Sequence, residues 1–289
     1  MILAFPGNGS LAARLGGPVH PVHVHQFPDG ESLVRIEADV QGACVDVVCT
    51  LDRPDPKLFP LVVALRTLRE LGAARIRLVA PYLCYMRQDR RFHPGEGVSA
   101  PVLASMLGPL VDGLVTVDPH LHRITSLDTL WPRPVVVHAA PALAAWVAEH
   151  VRDPLFIGPD EESAQWVGAV AHLAGAPSTV LRKERRGDRD VDVSLPDLDR
   201  WPGRTPVLVD DIASTARTLA AAAAQLRRLG TPPPACVVVH ALFAEGAAEA
   251  LVEAGVGLVA STNTVIAPTS VIDIAPLLAQ ALAPPPEGV

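Results

Sequence analysis

The chain has 289 residues, carries a formal net charge of −7 and is 49% hydrophobic. This length is about twice that of a typical domain of roughly 150 residues, so we expect two domains, each with its own apolar core. A negatively charged chain lacks the positive electrostatic field that attracts nucleic acids and anionic membrane surfaces, and we exclude both as partners. No basic segment precedes an apolar run at the start, and no apolar span approaches the ~20 residues of a membrane helix, which predicts a cytoplasmic protein.

The four cysteines lie in or beside apolar stretches and form no C-x-x-C pair. Neither a zinc site nor a disulfide framework is indicated by this spacing, and we expect reduced, buried thiols. The cysteines are Cys44, Cys49, Cys84 and Cys236.

Apolar runs of strand length alternate with helix-like segments along the whole chain. Strands are predicted at 1–5, 22–25, 45–50, 75–80, 114–118, 134–138, 155–158, 178–181, 206–209, 235–240 and 256–260. Helices are predicted at 57–71, 99–109, 141–149, 162–174, 214–229 and 244–254. This alternation is typical of an α/β protein with a parallel sheet covered by helices, and such sheets bind ligands at the carboxyl ends of their strands.

A coarse internal repeat indicates that the α/β unit is duplicated. The first copy consists of RIRLVAPYLCYMRQDRR, a helix and GLVTVDPH. The second copy consists of GRTPVLVDDIASTARTL, a helix and ACVVVHALF. The boundary falls near residues 139–153, and we divide the chain into domains 1–140 and 141–289, with the extreme C-terminus packing back on the first domain. The final ALAPPPEGV is expected to be a disordered tail, because three successive prolines cannot extend a helix.

Polar segments follow several of the predicted strands. In QFPDGE at 26–31, Gly30 permits a sharp turn, and an ordinary surface turn explains this segment equally well. Arg87 and Gln88 follow the strand at 75–80, where a guanidinium can hold phosphate oxygens. His120 ends the strand in VDPH, and Asp160 follows the strand in IGPD. The charge-rich LRKERRGDRDVDV lies between two apolar segments, as a surface hairpin would.

The stretch VLVDDIASTARTL at 207–219 combines a strand, two adjacent carboxylates and a turn of small residues before an alanine-rich helix. Backbone N–H groups at such a helix start form an anion site. The carboxylates of Asp210 and Asp211 would repel a bare phosphate, so they are read as acceptors for sugar hydroxyls or as partners of Mg²⁺. A phosphorylated sugar satisfies both parts. The alternative is that Asp211 and Ser214 merely cap the helix.

Seven segments resemble, in chain order, those of the ribose-phosphate diphosphokinase family, the phosphoribosyl pyrophosphate (PRPP) synthases. They are QFPDGE, PYLCYMRQDRR, VDPH, GPDEES, KERR, VDDIASTARTL and STNTV. The resemblance is closest to the shorter archaeal-type class. It implies two tandem phosphoribosyltransferase-like domains, each a mainly parallel sheet flanked by helices. It also implies transfer of the diphosphoryl group of ATP to ribose 5-phosphate, with Mg²⁺ as cofactor. A homodimer or higher homo-oligomer is implied, with an active site shared between subunits.

The resemblance further implies a role for individual residues. Catalysis falls to Lys183 and Arg185, on a flexible loop that closes over the transferring group. Contacts to the metal are implied for His120 and Asp160. Contacts to ATP are implied for Phe27, Asp29, Glu31, Arg87, Gln88 and Asp89. Contacts to ribose 5-phosphate are implied for Asp210, Asp211, Ser214, Thr215, Ala216, Arg217 and Thr218.

Several positions depart from the family's usual residues. Ala216 and Arg217 stand where many members have Gly-Gly or Cys-Gly, and Glu184 stands where a basic residue is frequent. Ser214 replaces a common aspartate, as it does in archaeal-type members. LDRPDPK lacks an expected asparagine, which leaves an allosteric ADP or phosphate site without support.

Two alternative functions stay open. A catalytically silent PRPP-synthase-associated regulatory subunit would fit Arg217 and Glu184. A PRPP-consuming phosphoribosyltransferase would use the same sugar-phosphate loop, without needing FPDGE or RQDRR.

Overall fold

The computed structural model describes residues 1–160, 163–186, 190–194 and 198–283, with the backbone alone from 182 to 194. The chain divides into two compact units. The first unit is Met1–His138 together with the segment that begins at Ala275, and the second unit is Ala139–Ile274.

The described strands are β1 (Ile2–Ala4), β2 (Val19–Gln26), β3 (Ser32–Ile36), β4 (Cys44–Val48), β5 (Arg75–Ala80), β6 (Gly113–Val117), β7 (Pro134–Val137), β8 (Pro154–Gly158), β9 (Ser178–Val180), β10 (Arg182–Arg186), β11 (Asp190–Ser194), β12 (Thr205–Ala213), β13 (Ala235–Ala241), β14 (Leu258–Thr262) and β15 (Ser270–Ile272). The described α-helices are α1 (Gly9–Ala12), α2 (Asp55–Glu70), α3 (Ser99–Leu107), α4 (Ala140–His150), α5 (Ala164–Leu173), α6 (Arg217–Arg228), α7 (Ala247–Glu253) and α8 (Ala275–Leu282).

The described part of the first unit is built on a seven-stranded sheet in the order β3-β2-β1-β4-β5-β6-β7. Neighbouring strands are parallel except for the antiparallel pair β2 and β3. The central strands are almost wholly buried, as strands covered by helices on both faces must be. Helix α2 buries residues at the helical spacing of an inward face, namely Leu61, Ala64, Leu65 and Leu68.

Helix α8 belongs to the first unit although it follows the second unit in the chain. Arg77 donates from Nε and Nη2 to the carboxylate of Asp46, at 2.6 and 3.0 Å, and from Nη2 to the carbonyl of Leu282 at 3.0 Å. The guanidinium thus ties the last turn of α8 to β4 and β5. The expectation of a disordered tail from residue 281 is wrong for Ala281 and Leu282, which lie in α8, while residues 284–289 lie outside the described residues.

Among its described residues, the second unit has a six-stranded parallel sheet in the order β15-β14-β13-β12-β8-β9 and the antiparallel hairpin β10–β11. The alanine-rich sequence of α6 has high helix propensity. Its apolar side chains join a buried core with strand residues such as Leu208 and Val238. Helix α6 packs beside α7, and α4 packs beside α5.

The predicted α/β architecture of two mainly parallel sheets is confirmed. The predictions missed β3, β15, α1 and α8, which are short or lie at the edges of the fold. Helix α6 begins at Arg217 rather than at the predicted residue 214, because residues 214–216 form the turn before it. Within the described residues, no helix combines the length and apolar character needed to cross a membrane.

Candidate functional site

The two carboxylates of the 207–219 stretch lie at the carboxyl end of β12. Strand β12 pairs with β8 only as far as Leu208, whereas its pairing with β13 continues to Ala213. Asp210 and Asp211 therefore lie beyond the last β8 partner, and both side chains are half-buried. Ligands of parallel α/β sheets bind at this edge.

Negative charge is concentrated at this edge of the second sheet. Burial raises the pKa of Asp210 well above its ordinary value, and the carboxylates of Asp211 and Asp160 raise it further. The N–H of Asp211 donates to Oδ1 of Asp210 at 3.0 Å, which partly offsets these effects. A cation or the hydroxyl donors of a sugar would relieve the remaining repulsion.

The turn that follows these carboxylates ends in a residue with left-handed backbone. Ala216 precedes α6 with φ of 54° and ψ of 11°, and its carbonyl accepts the N–H of Ala220 at 2.8 Å. The N-cap residue of α6 is Ala216, whose methyl side chain makes no capping hydrogen bond, so neither Asp211 nor Ser214 occupies the N-cap position. The N–H groups of the first helical turn have no acceptor within the helix, as an anion site requires.

Backbone hydrogen bonds fix the turn to the segment after β13. Leu242 donates its N–H to the carbonyl of Ala213 at 2.9 Å, and Ala244 donates to that of Ser214 at 3.0 Å. Thr215, Arg217 and Thr218 are exposed, while Ala216 is buried. The structure therefore brings the seven residues predicted to contact ribose 5-phosphate into one continuous strand, turn and helix start.

Asp160 lies just after β8 in the second unit. Ser163 donates its N–H to Oδ1 of Asp160 at 3.1 Å and its hydroxyl to the carbonyl of Asp160 at 2.6 Å. A Cβ at Gly158 would lie 2.3 Å from Oγ of Ser163, so glycine at this position allows Ser163 to approach the end of β8. The carboxylates of Asp160, Asp210 and Asp211 supply the hard oxygen atoms that Mg²⁺ prefers, and on this chemistry the residues fit the predicted cofactor.

Residues 210–218 comprise the end of β12, the turn and the first residues of α6, and we call them together the 210–218 turn. A buried network of hydroxyl groups and one imidazole lies beside it. His240 is paired in register with Ile212, is fully buried, and has its Nδ1 2.9 Å from Oγ1 of Thr264. Thr262 and Thr264 both donate to the carbonyl of Val239, at 2.7 and 3.1 Å. The STNTV segment thus has a structural role beside the turn, which sequence reasoning did not assign.

In the first unit, FPDGE is the turn between β2 and β3. Phe27 donates its N–H to the carbonyl of Glu31 at 2.7 Å, and Gly30 has φ of 92°, which glycine adopts without strain. Oδ1 of Asp29 accepts the N–H of Glu31 at 3.1 Å. Phe27, Asp29 and Glu31 are all exposed at the tip of this hairpin.

Arg87, Gln88 and Asp89 lie in a loop after β5 but differ in exposure. Arg87 and Gln88 are exposed, whereas the side chain of Asp89 is only 3% exposed and pairs with Nη1 of Arg123 at 3.3 Å. Tyr85 begins the loop with φ of 63°, and its hydroxyl hydrogen-bonds the carboxylate of Asp55, which raises the pKa of Tyr85 to about 12.

His120 lies in a strained turn after β6. Asp118 and His120 have φ of 32° and 55°, values that are costly for residues other than glycine and that cluster at functional sites. Nδ1 of His138 is 2.9 Å from Oδ1 of the buried Asp118, and this contact raises the pKa of His138. The ring of His122 lies 4.1 Å from that of His120.

The backbone of the predicted catalytic segment forms the hairpin β10–β11. Lys183 is paired in register with Val193, and Arg185 with Val191. The side chains of both predicted catalytic residues lie outside the described part of the structure.

Sequence reasoning missed four residues beside the predicted ones. His122 carries a local signal, since it forms an H-x-H pair with His120. Arg123, Asp118 and His138 carry none, because their contacts join residues far apart in the chain.

Two protein-family models match the chain. One describes the N-terminal domain of ribose phosphate pyrophosphokinase and matches residues 8–110, and the other describes a phosphoribosyl transferase domain and matches residues 132–271.

Individual proteins are similar over nearly the whole chain. A ribose-phosphate pyrophosphokinase of Methanopyrus kandleri is 35% identical over 274 residues, which cover 94% of this chain and 93% of that protein. One of Saccharolobus solfataricus is 33% identical over 259 residues, which cover 89% and 88%. The crystal structure of phosphoribosylpyrophosphate synthetase from Mycobacterium smegmatis is similar with a TM-score of 0.84 and 27% identity, covering 97% of this chain and 96% of that one.

Proposed function

The chain belongs to the ribose-phosphate pyrophosphokinase family, and on this premise we propose that it transfers the β,γ-diphosphoryl group of ATP to the anomeric hydroxyl of ribose 5-phosphate. The products are PRPP and AMP. The family and the transferase class predicted from the motifs are confirmed.

The observation that carries the proposal is the junction of β12 and α6. It combines half-buried carboxylates at a strand end with a helix start whose N-cap residue is an alanine a few residues later. In the proposed complex, Asp210 and Asp211 accept hydrogen bonds from ribose hydroxyls, and the backbone N–H groups of Ser214 to Thr218 bind the 5-phosphate. A ligand with only one of these groups would leave half of the junction unused.

The residues proposed to bind ATP belong to the first unit. Arg87 and Gln88 are exposed side chains on an otherwise anchored loop, and they are proposed to contact the phosphates. Phe27 offers an apolar face for the base, and Asp29 and Glu31 offer acceptors for its amino group.

The transfer step forms a bond between the anomeric oxygen and the β-phosphorus and breaks the bond from that phosphorus to the α,β-bridging oxygen, which leaves on AMP, while the hydroxyl proton is released to solvent. Negative charge accumulates on the phosphoryl oxygens during this step, so cationic side chains at the transferring group lower the barrier. Lys183 and Arg185 are proposed to supply this charge.

Loss of the Lys183 ammonium should slow turnover strongly. We expect Lys183→Ala to lower kcat by on the order of a hundredfold or more while the melting temperature stays unchanged. Arg152→Ala is the control, because Arg152 is a 95% exposed cation of the same unit. Near-normal kcat for Lys183→Ala would remove this loop from the chemistry.

Mg²⁺ is proposed as the cofactor, held by Asp160 and His120 directly or through water. When bound, it would neutralise phosphate charge and orient the triphosphate. The concentration of carboxylates around Asp210 supports a divalent cation in the second unit.

The proposed reaction is tested by incubating the purified protein with ATP, ribose 5-phosphate and Mg²⁺. We expect AMP and PRPP in equal amounts, loss of both on chelation, and recovery when Mg²⁺ is restored. Release of pyrophosphate that depends on an added nucleobase would instead indicate a PRPP-consuming phosphoribosyltransferase. Absence of both reactions would indicate a silent regulatory subunit.

We further propose a homodimer or higher homo-oligomer in which the FPDGE hairpin completes the neighbouring subunit's ATP site. The hairpin supports this by exposing two large apolar side chains, Phe27 at 40% and Leu33 at 47%. Light scattering on purified protein measures the mass directly.

A cytoplasmic location is proposed as well, supported by four cysteines that are all free thiols, as reducing compartments maintain them.

A further inference from the structure

The loop that carries Arg87 and Gln88 is anchored on both sides of these two residues. Before them, the hydroxyl of Tyr85 bonds to Asp55, and the carbonyl of Tyr85 accepts the N–H of Gln88 at 2.8 Å. After them, the side chain of Asp89 is 3% exposed. The exposed residues Arg87 and Gln88 therefore lie between two anchored residues, Tyr85 and Asp89.

Asp89 is buried against a cation from a different loop. Nη1 of Arg123 lies 3.3 Å from Oδ1 and 3.4 Å from Oδ2 of Asp89, although the two residues are 34 positions apart. A buried carboxylate needs such a partner, because an unpaired charge is strongly disfavoured away from water. An almost fully covered side chain is also poorly placed to contact a nucleotide itself.

Arg123 extends from the strained turn that holds the two histidines. His120, with φ of 55°, and His122 precede it, and their rings lie 4.1 Å apart. The Asp89–Arg123 pair thus joins the loop of Arg87 and Gln88 to the loop of His120.

We propose that Asp89 and Arg123 are positioning residues, which act through each other to hold Arg87 and Gln88 in the geometry that binds the triphosphate of ATP. This role rests on the proposed function and replaces direct contact between Asp89 and ATP. Loss of the Asp89–Arg123 ion pair leaves the loop in its binding geometry for only part of the time, and the apparent affinity is multiplied by that fraction.

The test measures binding of α,β-methylene ATP, in which the bond that the reaction breaks is replaced, by titration calorimetry with Mg²⁺ present. We expect Arg123→Met to weaken binding by about tenfold, corresponding to a loop that is competent for roughly a tenth of the time. Arg123→Lys should restore much of this loss, since it keeps the charge. Asp89→Asn in the Arg123→Met background should cause no further loss, because it removes a carboxylate that has already lost its partner.

A matched control distinguishes positioning from general stability. Arg69 pairs with Asp112, which lies before β6 at the opposite end of that strand from His120. Arg69→Gln should lower the melting temperature and leave binding of the analogue unchanged.

Two results would overturn the inference. One is an additive loss in the double variant, which would mean that Asp89 binds the nucleotide on its own. The other is a lowered melting temperature with unchanged binding for Arg123→Met, as for the control. Because the analogue reports binding alone, these outcomes are separate from a wild-type protein that binds ATP but forms no AMP, which would contradict the proposed reaction.

Discussion

The 210–218 turn of the second unit and the 85–96 loop of the first unit are organised in opposite ways. The turn holds half-buried carboxylates that repel one another and a left-handed alanine at the start of a helix. Two acidic side chains of the loop have partners: Asp89 pairs with Arg123 of a different loop, and Glu96 accepts the N–H groups of Phe92 and His93, both at 2.9 Å. We infer that the turn keeps unfavourable energy that a ligand would relieve, whereas the loop is ordered beforehand.

The largest expected effect within this comparison concerns the binding of ribose 5-phosphate at the 210–218 turn. Asp211→Ala should raise the KM for ribose 5-phosphate by roughly ten- to a hundredfold, because a hydrogen bond to a charged group contributes about 1.5–3 kcal/mol. Steady-state kinetics at saturating ATP measure this change. An unchanged KM for the sugar would refute the role proposed for Asp211.

A smaller effect is expected in the ordered loop. Arg87→Met should raise the KM for ATP by about tenfold, the loss of one exposed contact between a guanidinium and phosphate. The melting temperature should not change, because Arg87 is exposed. Arg75→Met is the matched control, since Arg75 is an exposed arginine at the start of β5. Equal KM values for the two variants would contradict a nucleotide role for this loop.

Burial of the Asp210 carboxylate, together with repulsion from Asp211, predicts a gain of stability when its charge is removed. The raised pKa of Asp210 means that the folded protein binds more protons than the unfolded chain above the ordinary value of 3.8. Stability therefore falls as pH rises from that value through the raised pKa. Asp210→Asn should stabilise the ligand-free protein by about 1 kcal/mol at pH 8, and the gain should vanish near pH 4.

Thermal unfolding of both proteins across this pH range checks the effect. A gain of about 1 kcal/mol corresponds to an increase of roughly 2–4 °C in melting temperature for a domain of this size. A variant that is less stable than the wild type at pH 8 would show that the carboxylate is stabilised rather than strained.

The smallest effect concerns the backbone of the same turn. Ala216→Gly should stabilise the protein by up to about 1 kcal/mol, because glycine adopts a left-handed conformation without the steric cost of a Cβ. The control is Ala221→Gly at an exposed position inside α6, which should destabilise by about 1 kcal/mol. Denaturant unfolding of both variants gives the comparison, and changes of the same sign would show that Ala216 is unstrained.

The sequence allows prediction of the turn better than of the loop, and the reason is physical. The turn is built from consecutive residues, so a strand, two carboxylates and a helix start can be read from one short stretch. The small size of residue 216 also has a signal in the sequence, since the resemblance places glycine or cysteine there in many members. The ion pair of Asp89 with Arg123 joins distant residues, and only the fold brings them together.

The same distinction applies to the fold. Buried central strands and long helices were predicted because their apolar periodicity is strong. Strand β3 alternates between half-buried and exposed residues at the sheet edge, which gives a weak signal. Helix α8 follows a change of unit, which the periodicity of the chain does not reveal.

The return of the chain at Ala275 has a consequence for biosynthesis. Arg77 reaches the carbonyl of Leu282, so the first unit obtains one of its helices from a segment that is translated after the whole of the second unit. The continuous stretch Ala139–Ile274 can begin to fold while translation is still in progress. Of the two units, the one whose synthesis begins first is thus completed last, and a nascent chain that stalls before α8 would expose the surface of β6 and β7 to chaperones.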